Sequence, residues 1–340
     1  MQNQEKPSIS TGLFLPPKVL TNAEIESWGL STGTGRPITA SWLSEKLGIH
    51  ERHIASADET PLFMARESAE KALIERPNID RIIGVLVSSS FPTAMHMSKE
   101  LAGNFGLEPQ FAYDIHAACS GIPRGINYLA KREKMGGLNE GDWILIVATE
   151  KYSPFLHDIR DGKDPAFAQT IFSDGAAAML FRWGVDLKVV DHVNYQFPRE
   201  YANLIRMPID QKMLNHPYYI EEPIARSETG FVEMDGPKVK KAVVKHLPGL
   251  IRQVAPKNAA DGKTKIIAHQ ASATIVDDLA QRMPEYDFYE YLKNGNFSSA
   301  SITMAFDKAA ADGWVKKGDS VVFAGFGAGL FASVFSAELN

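Results

Sequence analysis

The stretch QFAYDIHAACSGIPRGINYLAKREKMGGLNEGDWILIVATE, Gln110 to Glu150, decides how the rest of the chain is read. Gln110–Cys119 is an apolar run that predicts a strand. Gly121–Lys134 has the composition of a helix, and Asp142–Glu150 is nearly continuous in apolar residues. A strand without polar alternation is one covered on both faces, as in a parallel sheet flanked by helices. Upstream, RIIGVLVSSS (Arg81–Ser90) is β-branched and apolar, and Thr93–Asn104 follows with helical composition. This alternation predicts an α/β fold around a largely parallel sheet.

The segment NEGDWILIVATE has an echo near the C-terminus, where KKGDSVVFAGFG follows a predicted helix at Ser301–Asp312. Gly141-Asp142 and Gly318-Asp319 are 177 residues apart, and each pair sits between a helix and an apolar strand. Two similar α/β halves, at 1–184 and 185–340, are one explanation; chance similarity between two ordinary turns is the other. Val185–Asp235 differs in texture. Its Tyr, Pro and His fall in short irregular groups (FPREYANL, LNHPYYIEEP), which reads as a connecting or capping segment.

Composition narrows the function classes. The 340 residues are 44% hydrophobic and 23% charged, the mix of a chain with a sizeable buried core. A net charge of -5, from 36 Lys+Arg against 41 Asp+Glu, argues against a nucleic-acid partner. The single cysteine allows no intrachain disulfide and suits a reducing cytosol. The N-terminus MQNQEKPSIS is polar and has no signal-peptide h-region. Ser320–Ala337 is 18 residues without a charge, the threshold length for a membrane span, but Gly325, Gly327 and Gly329 interrupt it. Two buried strands turning at GAG are expected instead, so a cytoplasmic protein with no membrane partner is expected.

Three residues stand where chemistry collects in α/β folds. Cys119 ends a strand and precedes a helix, so its side chain is expected on a tight turn at the sheet's C-terminal edge. The unpaired N–H groups and positive dipole end of that helix would favour thiolate. An inert buried cysteine is the alternative. His269 follows TKIIAH and Asn296 lies in NGNFSSASITMAF, both again before helices. Alone, one is an ordinary structural histidine and the other a turn asparagine. Together they suit a nucleophile with two hydrogen-bonding partners. His50, Glu51 and His53 have no known metal-ligand spacing, and no dinucleotide or P-loop motif is present. Lys238, Lys240, Lys241 and Lys245 form a basic cluster that reads as a solvated helix face or a carrier-docking site.

HAACSG, AHQAS, GNFSSASI and FSDGAAA together resemble the thiolase superfamily, and within it the ketoacyl synthase III enzymes of fatty-acid and related biosynthesis. GIHERHIASADET (Gly48–Thr60) and the ending VFAGFGAGLFASVF carry the likeness over nearly the whole chain. The resemblance implies a doubly repeated α/β fold layered α-β-α-β-α. It also implies coenzyme A thioesters as substrates with no permanently bound cofactor, and a homodimer. In it, Cys119 takes an acyl group as a thioester, and His269 and Asn296 hydrogen-bond a malonyl thioester on carrier protein or coenzyme A. Backbone N–H groups of Cys119 and Gly327 form the oxyanion hole. Phe91 crosses the dimer interface to shape the acyl pocket, Trp42 stacks an adenine, Lys46 stands where the family usually has an arginine, and Lys241 matches a basic carrier-contact position.

Several positions depart from the family pattern. Ser272 and Thr274 stand for an Asn and an Arg, Pro237 for an Asn, and Ala166 for a phosphate-contacting Arg. A specialised acyl donor or acceptor in lipid or polyketide synthesis is therefore a real possibility. Two other readings stand beside condensation: an acyltransferase delivering to oxygen or nitrogen with His269 as base, and a non-catalytic partner subunit. The retained trio argues against the last.

Overall fold

The near-continuous apolar runs do form central strands, because each has neighbours on both sides. The computed structural model describes residues 5–32, 35–74, 81–90, 96–155, 167–206, 232–256 and 264–340. Its strands in chain order are β1 (Ser10–Phe14), β2 (Val19–Thr21), β3 (Glu51–His53), β4 (Ile82–Ser88), β5 (Phe111–Ile115), β6 (Trp143–Glu150) and β7 (Gly175–Arg182). There follow β8 (Leu187–Gln196), β9 (Ile205–Arg206), β10 (Glu233–Met234), β11 (Lys265–Ala268), β12 (Asp287–Phe288), β13 (Ser320–Gly327) and β14 (Phe331–Leu339).

Two five-stranded sheets have the orders β1-β7-β6-β4-β5 and β12-β11-β13-β14-β8. Counted in chain order within each sheet, both run first, fifth, fourth, second, third. The first–fifth and fifth–fourth pairings are antiparallel in both sheets. The fourth–second and second–third pairings are parallel in both. The Gly-Asp echo occupies the same place in each, before the fourth strand, with Gly141 at φ 90 and Gly318 at φ 89. Those backbone angles suit glycine far better than any other residue. The echo is a structural repeat.

Between the sheets lie the helices Gly121–Lys134 and Ser301–Ala311, each packed on strands of both sheets. Ile122, Ile126 and Leu129 of the first and Ile302 and Phe306 of the second share one core with Ile144, Ile146, Val321 and Phe335. A helix covered on two sides has no room for a wide polar face, hence the apolar run SITMAF. Pro61–Leu73 and Met97–Asn104 cover the outside of the first sheet, and Gly236–Val254 and Ala273–Arg282 flank the second. The layering is α-β-α-β-α. Among the described residues, no helix is long and apolar enough to cross a membrane.

Local departures from expectation have physical causes. The strand before Cys119 stops at Ile115, because the chain must turn out of the sheet to begin the central helix. The helix expected from Thr93 begins, within the described part, at Met97. The irregular segment expected at Val185–Asp235 contains β8, a ten-residue edge strand paired with β14. Only part of β8 is covered, so its polar residues Lys188, Asp191, His192 and Asn194 hid its strand character. Ser320–Ala337 forms the antiparallel pair β13 and β14.

The two halves meet most tightly where β13 passes beneath the Cys119 turn. A Cβ placed on Gly325 would lie 2.8 Å from Ser120 Cα and 3.1 Å from the Cys119 carbonyl oxygen. Gly325→Ala must therefore displace backbone, and overpacking of this kind typically costs ~1–3 kcal/mol. The expected result is a lower urea-unfolding midpoint together with slower alkylation of Cys119. An unchanged midpoint would show that the joint is looser than this geometry.

Candidate active site

Cys119 sits in the 3-10 turn Ala118–Ser120, between β5 and the first central helix. Ala118 has φ 43, a strained angle for a residue with a Cβ, and strain of this kind persists only where its surroundings impose it. The helix begins without a side-chain cap, so the N–H groups of its first turn face the nucleophile's surroundings. The second half repeats the device. Ser298 has φ 49 and opens the 3-10 turn Ser298–Ala300, before the second central helix. Cys119 and Ser299 are thus counterparts, each the residue after the strained one.

His269 directly follows β11, and its N–H donates to the Ala324 carbonyl at 2.8 Å, prolonging the β11–β13 ladder. Asn296 is held by the other half. Its N–H donates to the Ile171 carbonyl at 2.8 Å, and its carbonyl accepts from Ser173 N–H at 3.0 Å. The FSDGAAA motif supplies that clamp, and its Asp174 carboxylate accepts N–H groups of Ala55, Tyr152 and Ser153. The buried Arg52 of GIHERHIA donates to the Thr170 carbonyl and to Asn22, fixing the same segment from behind. Burial lowers Arg52 to about 9. The sequence motifs converge on one place.

Cys119, His269 and Asn296 line a single cavity of about 1010 Å3. Trp42 and Lys46 line it as well, one turn apart on the helix Ala40–Leu47, which Thr39 caps by accepting Trp42 N–H at 3.1 Å. Gly327 ends β13 against the nucleophile, where a Cβ would lie 2.8 Å from Cys119 N. Lys241 is exposed on Gly236–Val254 and is not among the residues lining the cavity, whereas its neighbour Lys240 is. One residue turns a helix by about 100°, which the charge pattern alone could not resolve. Phe91 and Ala166 lie outside the described residues. Arg36 and Arg206 also line the cavity; the sequence reading missed them, since neither belongs to a motif.

The electrostatics overturn one expectation. Cys119 is 7% exposed, and desolvation, reinforced by the charge of Glu150, pushes its thiol up to about 12. Burial outweighs the lowering effect of the Ser298 hydrogen bond, so the resting sulfur is a thiol. Its hydrogen-bond partner is Ser298 Oγ, at 3.3 Å. Asn296 Oδ1 accepts Ser298 N–H at 2.8 Å, which leaves the amide NH2 as a donor. Ser301 Oγ donates to the Ser298 carbonyl at 2.6 Å and lies 2.7 Å from His269 Nδ1. Its one proton being used, the network assigns the Nδ1 proton to His269 and a lone pair to Nε2. Glu150, at the end of β6, was also missed. It is fully buried and accepts from Ser90 and Ser299, and desolvation raises it to about 7. A carboxylate ending the apolar run WILIVATE was the available signal.

Burial also drives His269 down to about 3. The unfolded imidazole titrates near 6.5, so between these values the unfolded chain binds more protons. The associated stability is fully present above the unfolded pKa and is lost as pH falls toward the folded one. His269→Gln is therefore expected to flatten the acid limb of urea-midpoint against pH. Parallel acid limbs in the two chains would contradict this.

Residues 260–337 match the family model described as 3-oxoacyl-[acyl-carrier-protein] synthase III C terminal. The beta-ketoacyl-[acyl-carrier-protein] synthase III of Acidiphilium cryptum is 28% identical over 334 residues, covering 94% of each chain. The crystal structure of 3-oxoacyl-[acyl-carrier-protein] synthase III from Aquifex aeolicus superposes with a TM-score of 0.77 at 23% identity, over 99% of this chain and 100% of that one. The priming beta-ketosynthase from the R1128 polyketide pathway gives 0.76 at 24%, over 100% and 98%. With its doubled fold, its converging motifs and its likeness along the full length of these relatives, the chain is similar to the ketoacyl synthase III condensing enzymes.

Proposed function

We propose that the chain transfers an acyl group from an acyl-coenzyme A to Cys119 and condenses it with a malonyl thioester carried by carrier protein or coenzyme A. One observation carries this reading: a thiol, an amide donor and an imidazole from both halves line one cavity whose lining also includes Trp42, Lys46, Arg36 and Arg206. That lining fits a nucleotide-bearing phosphate ester, with an aromatic face for the base and cations for the phosphates. In the first half-reaction the sulfur attacks the thioester carbonyl, and backbone N–H groups of Cys119 and Gly327 stabilise the oxyanion. Loss of CO2 from the malonyl thioester then generates the carbanion without a strong base. No prosthetic group is needed.

Asn296 is the donor to the malonyl carbonyl. His269 can donate from Nε2 only when the Ser301 hydroxyl turns its proton from the Ser298 carbonyl to Nδ1. The tautomer that the Ser301 hydrogen bonds assign favours a second reading, in which the Nε2 lone pair removes a proton from an alcohol or amine acceptor. Intact mass after incubation with acyl-coenzyme A tests the shared first step, since Cys119 is the only thiol. Cys119→Ala should abolish labelling and turnover. Asn296→Ala should lose about 100- to 1000-fold in CO2 release while keeping much of the acylation burst, as expected for a missing oxyanion-type donor. Equal losses in both steps would favour the acyltransferase.

We further propose a homodimer, in a reducing cytosol. β5 is the free edge of the first sheet, hydrogen-bonded only to β4 among the described strands, and its Tyr113 is 46% exposed. Such an edge invites pairing with a second copy. Light scattering should give twice the chain mass, and a fully active monomer would refute the assembly.

A further inference from the structure

The resting thiol needs a proton acceptor, and the polar groups behind it form a directed chain. Cys119 Sγ lies 3.3 Å from Ser298 Oγ, and Ser298 Oγ lies 2.9 Å from Ser90 Oγ. Ser90 Oγ donates to Glu150 Oε1 at 2.9 Å. A carboxylate only accepts, so the single proton of Ser90 is spent on Glu150, and Ser90 can only accept from Ser298. The Ser298 proton is then spent too, which leaves Ser298 to accept from the thiol. Tyr152 Oη lies 2.8 Å from Ser90 Oγ and 3.1 Å from Ser298 Oγ, and its one proton is donated to one of them at a time. Ser90 is 7% exposed, Tyr152 1%, and Ser298 and Glu150 0%.

We infer that Glu150 is the proton acceptor for Cys119, reached through Ser298 and Ser90, and that it returns the same proton at the end of the cycle. The S–H bond breaks, the Ser298 and Ser90 protons each move one place, and Glu150 becomes a carboxylic acid. Negative charge moves within the buried site and none is added to it. The sulfur's electron pair forms the bond to the acyl carbon, and coenzyme A leaves as a thiolate that solvent protonates. On the condensing reading proposed above, carbanion attack expels the Cys119 thiolate. Glu150 re-protonates it by the reverse path. Glu150 touches no substrate and acts through the two serines.

Burial brings Glu150 to about 7 and the thiol to about 12, so the proton moves uphill to the carboxylate and the transfer is completed only as the sulfur bonds to carbon. The groups around it are consistent with this. Cys119 and Tyr152 couple to its charge, while Asp174 precedes the Gly175 that pairs with it and is held by N–H groups. Lys151 Nζ turns to the Ser56 carbonyl, and His116 Nδ1 lies 3.3 Å from the Ser89 carbonyl. Among the described residues no cation is ion-paired with Glu150.

The test is the pH profile of iodoacetamide alkylation, which needs no acyl substrate. Failure of acylation would therefore sink the proposed function and leave this inference standing. Wild-type alkylation should step up as Glu150 ionises. In Glu150→Gln the step should vanish, with neutral-pH alkylation slower by about 100-fold, within the usual range for positioned proton transfer. A Glu150 that merely repels the thiolate predicts the opposite, faster alkylation once the charge is gone. Ser90→Ala separates the cases again and serves if Glu150→Gln does not fold. It leaves the sulfur's contacts and the carboxylate in place but breaks the chain, so alkylation should slow. Alkylation as fast as wild type or faster, in either folded variant, overturns the inference.

Discussion

The structure depends on one steric fact: a strand of the second half passes within van der Waals contact of the Cys119 turn of the first. Gly325 and Gly327 leave room for that approach, and any side chain there would meet Ser120 or Cys119 backbone. Gly121 answers from the other side, where a Cβ would fall 1.8 Å from Ser88 Oγ. Close-packed interiors do not absorb such overlaps without moving backbone. The joint fixes where β13 lies, and β13 fixes β11 by their parallel register. His269, at the end of β11, is thereby placed relative to Cys119, although 150 residues of chain separate them.

The repeated halves are structurally alike and chemically divided. Each brings a strained 3-10 turn and an uncapped helix to the centre, at φ 43 for Ala118 and φ 49 for Ser298. The first turn carries the sulfur. The second carries only hydroxyls, and these serve the first: Ser298 meets the thiol, Ser299 meets Glu150, and Ser301 meets His269. A site at the seam of two repeats can therefore hold a nucleophile and its supporting network on rigid elements of different origin.

Burial dominates the energetics of that site. A thiol in the open at a helix start would ionise readily, but desolvation keeps Cys119 protonated and His269 neutral. Protection is one consequence, since oxidation of a cysteine follows its thiolate character and exposure. The mouth shows the opposite regime. Arg36, Arg206 and Lys240 come from three separate segments, and Lys240 is tied to Asp278 at 3.0 Å.

The sequence alone determined the strand–helix alternation, the repeat marked by Gly141 and Gly318, and the placing of Cys119, His269 and Asn296 ahead of helices. These are local signals: apolar runs record burial, and glycines and turn-flanking polar residues record backbone geometry. It could not place β8, whose one open side makes it read as polar loop, or choose Lys240 over Lys241 on a helix whose phase packing sets. Only the tertiary structure decided the protonation of the site. Nothing local to HAACSG says that the thiol is desolvated, that Ser298 lies beside it, or that Glu150 stands two hydroxyls behind. Desolvation and hydrogen-bond direction belong to the assembled interior, where groups distant in sequence exclude water from one another.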